Sequence, residues 1–214
     1  FFVYDKNETI LLPATCTPRL GASYKEFLIS DSSTLDLIVR SPGIPLWDIE
    51  DKLQAPVTTI TREFFDLCPC PIIGVTGTKG KGTTVSLIYE ILKSDGKDVY
   101  LVGNIGTPAL SVLPKLTKNS YVVYELSSFQ LFDLQKSPHL AVCLLVTEDH
   151  LDWHKDLGQY QNAKGSIFKY QKPDDVAIWY TDNKVSTDLH FLSQAHKKIP
   201  YGDSGVISVK NNQF

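Results

Sequence analysis

The pattern of apolar positions changes near residue 70 of this chain. Before that point, apolar runs at residues 1–4 and 35–39 predict short strands, and the second run leads into the turn Ser41-Pro42-Gly43. After it, apolar runs alternate with segments of helical periodicity. The predicted strands are 72–76, 99–102, 121–126, 141–147 and 176–180, and the predicted helices are 83–93, 159–170 and 185–196. Near-continuous apolar strands separated by helices predict an α/β fold with a mostly parallel sheet covered on both faces.

The Pro-rich segment Cys68-Pro69-Cys70-Pro71 lies where the pattern changes, and it suits a linker better than regular structure. We therefore predict two domains, residues 1–68 and residues 69–214. The chain opens in a strand-like run and contains no Met, so we interpret it as an internal fragment of a longer protein.

Composition narrows the classes of function. The hydrophobic fraction of 43% and the charged fraction of 21% are typical of a soluble globular protein. The net charge is −3 with both signs interspersed, which does not favour a nucleic-acid-binding face. No apolar run approaches the roughly 20 residues that cross a bilayer. The four cysteines fit no zinc-binding spacing, so we interpret them as the reduced thiols of a cytosolic protein.

The most informative segment is Gly74-Val75-Thr76-Gly77-Thr78-Lys79-Gly80-Lys81-Gly82-Thr83-Thr84, between a predicted buried strand and a predicted helix. Glycines let backbone N–H groups converge on phosphate oxygens, and a helix N-terminus adds a positive field. Lys81 would give a point charge to the terminal phosphates, and a hydroxyl after it would hold magnesium. Val75 and Gly82 depart from the general G-x-x-x-x-G-K-[ST] pattern. A Gly-rich turn without phosphate is the alternative interpretation, which two lysines in so short a turn disfavour.

Glu125 is the one charged residue of the otherwise apolar run 121–126, where a carboxylate is costly unless it is paired or bound to a metal. Ligands of open parallel sheets bind beyond the carboxyl ends of the strands, so Glu125 is a candidate magnesium ligand. A structural salt bridge is the alternative for this residue. His150, in an acidic turn after the run 141–147, is by itself more typical of a surface or capping residue.

At the glycine loop the chain resembles the Mur ligase family, whose loop also lacks the first glycine of the general pattern. Four further segments match in the same order: Ser41-Pro42-Gly43-Ile44-Pro45, Gly103-Asn104-Ile105-Gly106-Thr107-Pro108-Ala109-Leu110, Glu125-Leu126-Ser127-Ser128-Phe129-Gln130-Leu131 and Thr147-Glu148-Asp149-His150-Leu151-Asp152. The third segment favours the branch of the family that adds D-glutamate. Gly82 departs toward the loop of folylpolyglutamate synthases.

The resemblance implies a fold and an activity. Residues 1–68 would be part of a Rossmann-like UDP-binding domain, and residues 69–214 a truncated P-loop-type ATP-binding domain. The reaction would be ATP- and Mg²⁺-dependent amide ligation through an acyl phosphate, joining D-glutamate to UDP-N-acetylmuramoyl-L-alanine for peptidoglycan synthesis. We expect a cytoplasmic monomer, and we expect this fragment alone to be inactive. Another Mur ligase, a folylpolyglutamate synthase or a nucleotide-binding module without ligase activity is the alternative.

The resemblance also implies roles for individual residues. The ATP phosphates would contact the loop residues Gly77, Thr78, Lys79, Gly80, Lys81, Gly82, Thr83 and Thr84. Magnesium would be held by Thr83, Glu125, His150 and a carbamylated Lys164, and Thr84 is a second candidate for the hydroxyl. Carbamylation requires a neutral amine, hence a lowered pKa; a solvated helix lysine is the alternative. The substrate would contact Asp5, Gly43, Asn104, Ser127 and Gln130, for which turn and capping roles are alternatives.

Overall fold

The computed structural model describes residues 1–45, 48–149 and 152–203. The chain forms two compact units, Phe1–Thr59 and Ile60–Phe214. Within the described residues, none of the helices combines the length and the apolar character that a membrane crossing requires.

The first unit contains two small parallel sheets. Strands β1 (Phe2–Asp5) and β2 (Thr17–Leu20) form one sheet, and β3 (Ile38–Arg40) and β4 (Val57–Thr59) form the other. The unit also contains helix α1 (Tyr24–Asp31) and two 3-10 turns (Ser32–Thr34 and Glu50–Lys52). Its buried core consists of Leu28, Ile38, Ile49 and Ala55.

The second unit is built on a six-stranded, fully parallel sheet. Its strands are β5 (Ile72–Thr76), β6 (Val99–Gly103), β7 (Tyr121–Glu125), β8 (Leu140–Cys143), β9 (Val176–Tyr180) and β10 (Lys197–Tyr201). Their order across the sheet is β10-β9-β8-β5-β7-β6. The helices are α2 (Ile60–Leu67), α3 (Lys81–Ser94), α4 (Ala109–Val112), α5 (Ser128–Leu131), α6 (Leu157–Lys169) and α7 (Lys184–His190), with a 3-10 turn at Leu113–Lys115.

Both faces of this sheet are covered. Successive side chains of a strand point to opposite faces, so a single strand contributes to the core on both sides. On one face, Val122 and Tyr124 of β7 join a core cluster with Phe64 of α2. On the other face, Val123 packs in a cluster with Val85 of α3. The α/β fold with a parallel sheet covered on both faces, predicted from the apolar runs, is confirmed.

Several elements differ from the sequence pattern. Helices α1 and α2 and strands β2 and β4 were not predicted, and the predicted strand 141–147 ends at Cys143. The predicted helix at 185–196 ends at His190, and residues 197–201 add the edge strand β10, which the pattern did not predict. A strand that contains Lys197, Lys198 and Pro200 carries little apolar signal, and Pro is tolerated on sheet edges. The compact units also divide before α2, because Phe64 is fully buried against Tyr124. The functional domains 1–68 and 69–214 remain a prediction.

Candidate functional site

The predicted site residues of the second unit lie at the carboxyl edge of its sheet. The chain leaves β5, crosses to β6 at the edge, returns to β7 beside β5, and then forms β8 on the other side of β5. This reversal makes the carboxyl end of β5 a topological switch point, where open parallel sheets bind ligands. The glycine loop follows β5, Asn104 follows β6 and Glu125 ends β7. The sequence order therefore brings these three elements to one edge.

The glycine loop is fixed to the segment that follows β8. The N–H of Thr78 donates to the carbonyl of Leu145 at 2.7 Å. The Thr78 hydroxyl donates to the carbonyl of Thr147 at 3.1 Å and accepts from the N–H of Thr147 at 2.9 Å. Gly80, with φ of +86°, then turns the chain into α3. The loop is thus preorganised before any ligand binds, with the N-terminal amides of α3 at its end.

Two ammonium groups converge on the carbonyl of Gly77. Lys81 Nζ donates to the carbonyls of Gly77 and Thr78, both at 3.0 Å, and Lys164 Nζ donates to that of Gly77 at 2.9 Å. Lys164 lies on α6 and is 1% exposed. Burial, together with the charge of Lys81, lowers the pKa of Lys164 to about 7. The solvated-lysine interpretation of Lys164 is therefore wrong for this structure.

Tyr160 connects α6 to the glycine loop, a role that was not predicted from the sequence. Its hydroxyl lies 2.8 Å from that of Thr78, and Lys164 Nζ lies 4.8 Å from the centre of its ring. Tyr160 and Lys164 are four residues apart, so a helix presents them on one face. The sequence shows this spacing within the predicted helix 159–170. It does not show that the residues contact the glycine loop.

Glu125 lies between the glycine loop and the end of β6. It pairs in register with Val75 of β5 and with Gly103 of β6, and it is 6% exposed. Its Oε2 atom is buried and has no hydrogen-bond partner within the described residues. A buried unpaired carboxylate oxygen is costly. A bound cation would offset that cost, and carboxylate oxygens are the ligands that Mg²⁺ prefers.

Gly82 is the residue of α3 that faces Glu125. A Cβ atom placed on Gly82 would lie 3.5 Å from Glu125 Oε2. The general phosphate-loop pattern has its hydroxyl residue directly after the lysine, which is this position. In this chain the next hydroxyl residues after the lysine are Thr83, which is exposed, and Thr84, which is half-buried. Within the described residues no group of three or more His, Cys, Asp or Glu side chains could hold a metal. His150 lies outside the described residues, so its role stays a prediction.

Three predicted substrate contacts lie near this edge. Asn104 is exposed and directly follows Gly103, the partner of Glu125. Ser127 and Gln130 form a capping box at the start of α5. Gln130 Oε1 accepts from the Ser127 N–H at 2.8 Å, and Ser127 Oγ accepts from the Gln130 N–H at 3.2 Å. The capping role that was the alternative for this pair is present, and contact with substrate stays a prediction.

The other two predicted contacts belong to the first unit. Asp5 ends β1, and its carboxylate accepts from the N–H of Asn7 at 2.7 Å. It lines a groove of about 710 Å³ together with residues of β3. Gly43 is exposed in the turn after β3. The uridine-side role of both residues remains a prediction.

We expect substitutions at two glycines of the loop to have different effects on stability. Gly77 has φ of +149°, and a Cβ there would lie 2.8 Å from the Cβ of Leu144. Gly77→Ala should therefore destabilise the second unit by about 1–3 kcal/mol through overpacking and backbone strain. Gly82→Ala is the matched control, since its Cβ would make only ordinary contacts. Thermal unfolding of both variants measures the difference, and equal melting temperatures would contradict this loop geometry.

Comparison with known proteins gives relatives along almost the whole chain. The profile of the Mur ligase middle domain matches residues 75–212. The UDP-N-acetylmuramoylalanine–D-glutamate ligase of Acetivibrio thermocellus is 37% identical over 207 residues, covering 92% of this chain and 44% of that protein. The ligase of the same name from Clostridium kluyveri is 40% identical over 174 residues, covering 79% of this chain and 37% of that protein. The chain thus spans less than half the length of these two relatives.

Solved structures share the fold. The MurF ligase of Thermotoga maritima in complex with ADP aligns with a TM-score of 0.52 at 21% identity, covering 79% of this chain and 47% of that one. At this identity the likeness concerns the fold alone. The family predicted from the sequence motifs is confirmed by the middle-domain match, which extends over more than half of the chain. The chain belongs to the Mur ligase family.

Proposed function

We propose that the whole protein is an ATP-dependent, ADP-forming ligase that joins D-glutamate to UDP-N-acetylmuramoyl-L-alanine in the cytoplasm. One observation carries the proposal: a preorganised glycine loop holds Lys81 and Lys164 at the carbonyl of Gly77, beside a buried carboxylate oxygen of Glu125 that has no hydrogen-bond partner among the described residues. Mur ligases are ATP-dependent enzymes, and the relatives named above act on these two substrates by name.

The glycine loop would bind the phosphates of ATP. The first amides of α3 lack partners inside the helix, so residues 81–83 can donate to phosphate oxygens. An ammonium has three donors, and Lys81 uses two of them on the carbonyls of Gly77 and Thr78. The third can reach the γ-phosphate and stabilise the charge that develops there. Lys79 and the hydroxyls of Thr83 and Thr84 complete the proposed phosphate contacts.

Magnesium would fit beside Glu125. The buried Oε2 atom supplies an anionic oxygen, and Gly82 leaves space next to it. We propose Thr83 as the hydroxyl ligand, with His150 and a carbamylated Lys164 as further ligands. When bound, the ion would neutralise charge on the transferring phosphoryl group.

The chemistry then proceeds on the substrates. A carboxylate oxygen of UDP-N-acetylmuramoyl-L-alanine attacks the γ-phosphorus, and ADP leaves with an acyl phosphate formed. The amine of D-glutamate attacks the acyl carbon, and phosphate leaves with the original carboxylate oxygen. Asn104, Ser127 and Gln130 would orient the first substrate near the carboxyl edge, while Asp5 and Gly43 would contact its uridine side. The loop and its lysines act by positioning and electrostatics, so no covalent enzyme intermediate is required.

A substrate panel tests this proposal. The full-length protein is given ATP, Mg²⁺ and UDP-N-acetylmuramoyl-L-alanine with D-glutamate or L-glutamate. Separate reactions contain UDP-N-acetylmuramoyl-L-alanyl-D-glutamate with L-lysine or meso-diaminopimelate, and a folate with L-glutamate. We expect ADP and the amide product in equal amounts in the reaction with D-glutamate, and no product in the other reactions. Product with another amino acid would assign the protein to a sister ligase, and product from the folate would assign it to a folylpolyglutamate synthase. ATP binding without any product would indicate a binding module.

Lys164 carbamylation gives an independent prediction. The neutral amine that reacts with CO₂ is half populated at pH about 7 for Lys164, because burial and the nearby Lys81 disfavour its charged form. Exposed lysines keep a pKa near 10.4. With carbon-13 bicarbonate we therefore expect a carbamate NMR signal that grows as the pH rises through 7. Lys164→Gln should remove it, and Lys169→Gln on the exposed side of the same helix should not. A signal that persists in Lys164→Gln would contradict the assignment.

A further inference from the structure

Cys68 and Cys70 form a pair of neighbouring thiols outside the site described above. Their Sγ atoms lie 3.6 Å apart, and Cys68 Sγ lies 3.5 Å from the carbonyl oxygen of Cys70. The pair stands between the end of α2 and the start of β5. The glycine loop lies at the other end of β5, so the pair is at the amino edge of the sheet and belongs to no part of the proposed active site.

The two thiols differ in their access to solvent. Cys68 is half-buried and is flanked by the exposed residues Leu67 and Pro69. Cys70 is 4% exposed and packs in the core cluster of the second unit. An attacking reagent in solvent therefore reaches Cys68 first. The buried Cys70 Sγ lies in van der Waals contact with Cys68 Sγ. Exposed reactive thiols beside a resolving thiol are the arrangement of reversible redox sites.

We propose that Cys68 and Cys70 form a reversible oxidation site that closes to an intramolecular disulfide by exchange with a low-molecular-weight disulfide of the glutathione type. Closure brings the two Sγ atoms from 3.6 Å to about 2.0 Å. The two side chains already meet on one side of the chain, so closure requires only the short further approach of two sulfur atoms that lie 3.6 Å apart. The site is independent of the proposed ligase function.

The exchange is balanced in two steps. The Cys68 thiolate attacks one sulfur of oxidised glutathione, forms a mixed disulfide and releases one glutathione thiolate. Cys70 Sγ then attacks Cys68 Sγ, its proton passes to the second departing glutathione thiolate, and the Cys68–Cys70 bond forms. The protein thiols are oxidised and the glutathione disulfide is reduced to two thiols.

The electrostatics of the pair set the order of these steps. Burial and the charge of Cys68 raise the pKa of Cys70 to about 12, so Cys70 remains a thiol at neutral pH. The mixed disulfide removes the charge of Cys68, and with it one of the causes that hold the Cys70 proton. The second step is thereby favoured only after the first has occurred.

Peptide mass spectrometry tests the proposal on the full-length protein. The reduced protein is incubated with oxidised glutathione, blocked with N-ethylmaleimide and digested with trypsin. Cleavage after Arg62 and Lys79 gives the peptide 63–79, which contains Cys68 and Cys70 and no other cysteine. We expect this peptide without maleimide and two hydrogen atoms lighter than its reduced form. The half-buried Cys16 is the internal control, because it stands alone and should carry maleimide or glutathione.

Variants separate the two steps. Cys70→Ala should retain glutathione on Cys68, because the resolving thiol is gone. Cys68→Ser should acquire no glutathione adduct in this peptide. The peptide masses of the wild-type protein test the disulfide without any variant. The proposal therefore stays testable even if a Cys70 substitution fails to fold. Two maleimides on the wild-type peptide, or a stable glutathione adduct on Cys68 beside a maleimide on Cys70, would overturn the proposal.

Discussion

Lys81→Ala in the full-length protein is expected to reduce kcat/KM for amide formation by about a thousandfold or more. Lys81 is held over the glycine loop by two carbonyl groups, so its position is fixed before the nucleotide binds. A preorganised charge that stabilises the transferring phosphoryl group needs no rearrangement during the reaction. Its removal therefore acts on the chemical step, and the expected change is mainly in kcat.

The control for this substitution lies on the same helix. Lys93 is exposed in the last turn of α3, and its ammonium lies over the ring of Tyr89, far along the helix from the loop. Lys93→Ala should leave the rate within a few-fold of wild type. Steady-state kinetics with matched circular dichroism and thermal unfolding distinguish a chemical defect from a folding defect. A folded Lys81→Ala protein with near-normal phosphate release would show that Lys81 does not serve the reaction.

Glu125→Gln is expected to have the second largest effect. The substitution keeps the shape of the side chain and removes its charge at a buried position. If Oε2 binds magnesium, the variant loses an anionic ligand, and activity should fall by about a hundredfold while half-saturation moves to higher Mg²⁺ concentration. Mn²⁺ binding in the presence of a non-hydrolysable ATP analogue gives a readout that does not depend on turnover.

The stability of the variant adds a second readout. A buried carboxylate oxygen without a hydrogen-bond partner destabilises the metal-free protein, so Glu125→Gln should be at least as stable as wild type when Mg²⁺ is removed. Glu90→Gln, on the exposed side of α3, should change neither property. A Glu125→Gln protein with the wild-type magnesium titration would place the metal elsewhere.

Sequence predicted the parts of this fold that depend on periodicity along one element. The apolar run that contains Glu125 became a central strand with the carboxylate buried at its end, because alternation and turn signals are local. The phosphate loop lies between a strand and a helix, as its glycines and lysines indicate.

Periodicity also has a limit that α3 illustrates. Its pattern predicts one apolar face made of Leu87, Ile88, Ile91 and Leu92. In the structure Ile88 and Leu92 pack against the core, whereas Leu87 is 59% exposed and Ile91 is 66% exposed. A helix presents only a stripe to a sheet, and the sequence does not show where the edge of that stripe falls.

Contacts between distant segments were beyond the sequence pattern. The hydroxyl of Tyr160 lies 2.8 Å from that of Thr78, 82 residues away in the chain. Lys164 reaches the carbonyl of Gly77 from the same helix, and its burial together with the nearby charge of Lys81 lowers its pKa to about 7. Such contacts arise when the sheet and α6 pack together, so their residues have no local signature beyond helical spacing.

The central claim is that this loop and its lysines activate a substrate carboxylate by phosphoryl transfer, and an isotope measurement tests it most directly. UDP-N-acetylmuramoyl-L-alanine labelled with oxygen-18 in its carboxylate is given to the full-length protein with ATP, Mg²⁺ and D-glutamate. Attack of the carboxylate on the γ-phosphorus transfers one labelled oxygen to the phosphate that is released when the amide forms. The account predicts that each released phosphate carries one labelled oxygen and that ADP carries none. Unlabelled phosphate, or the label in AMP, would contradict it.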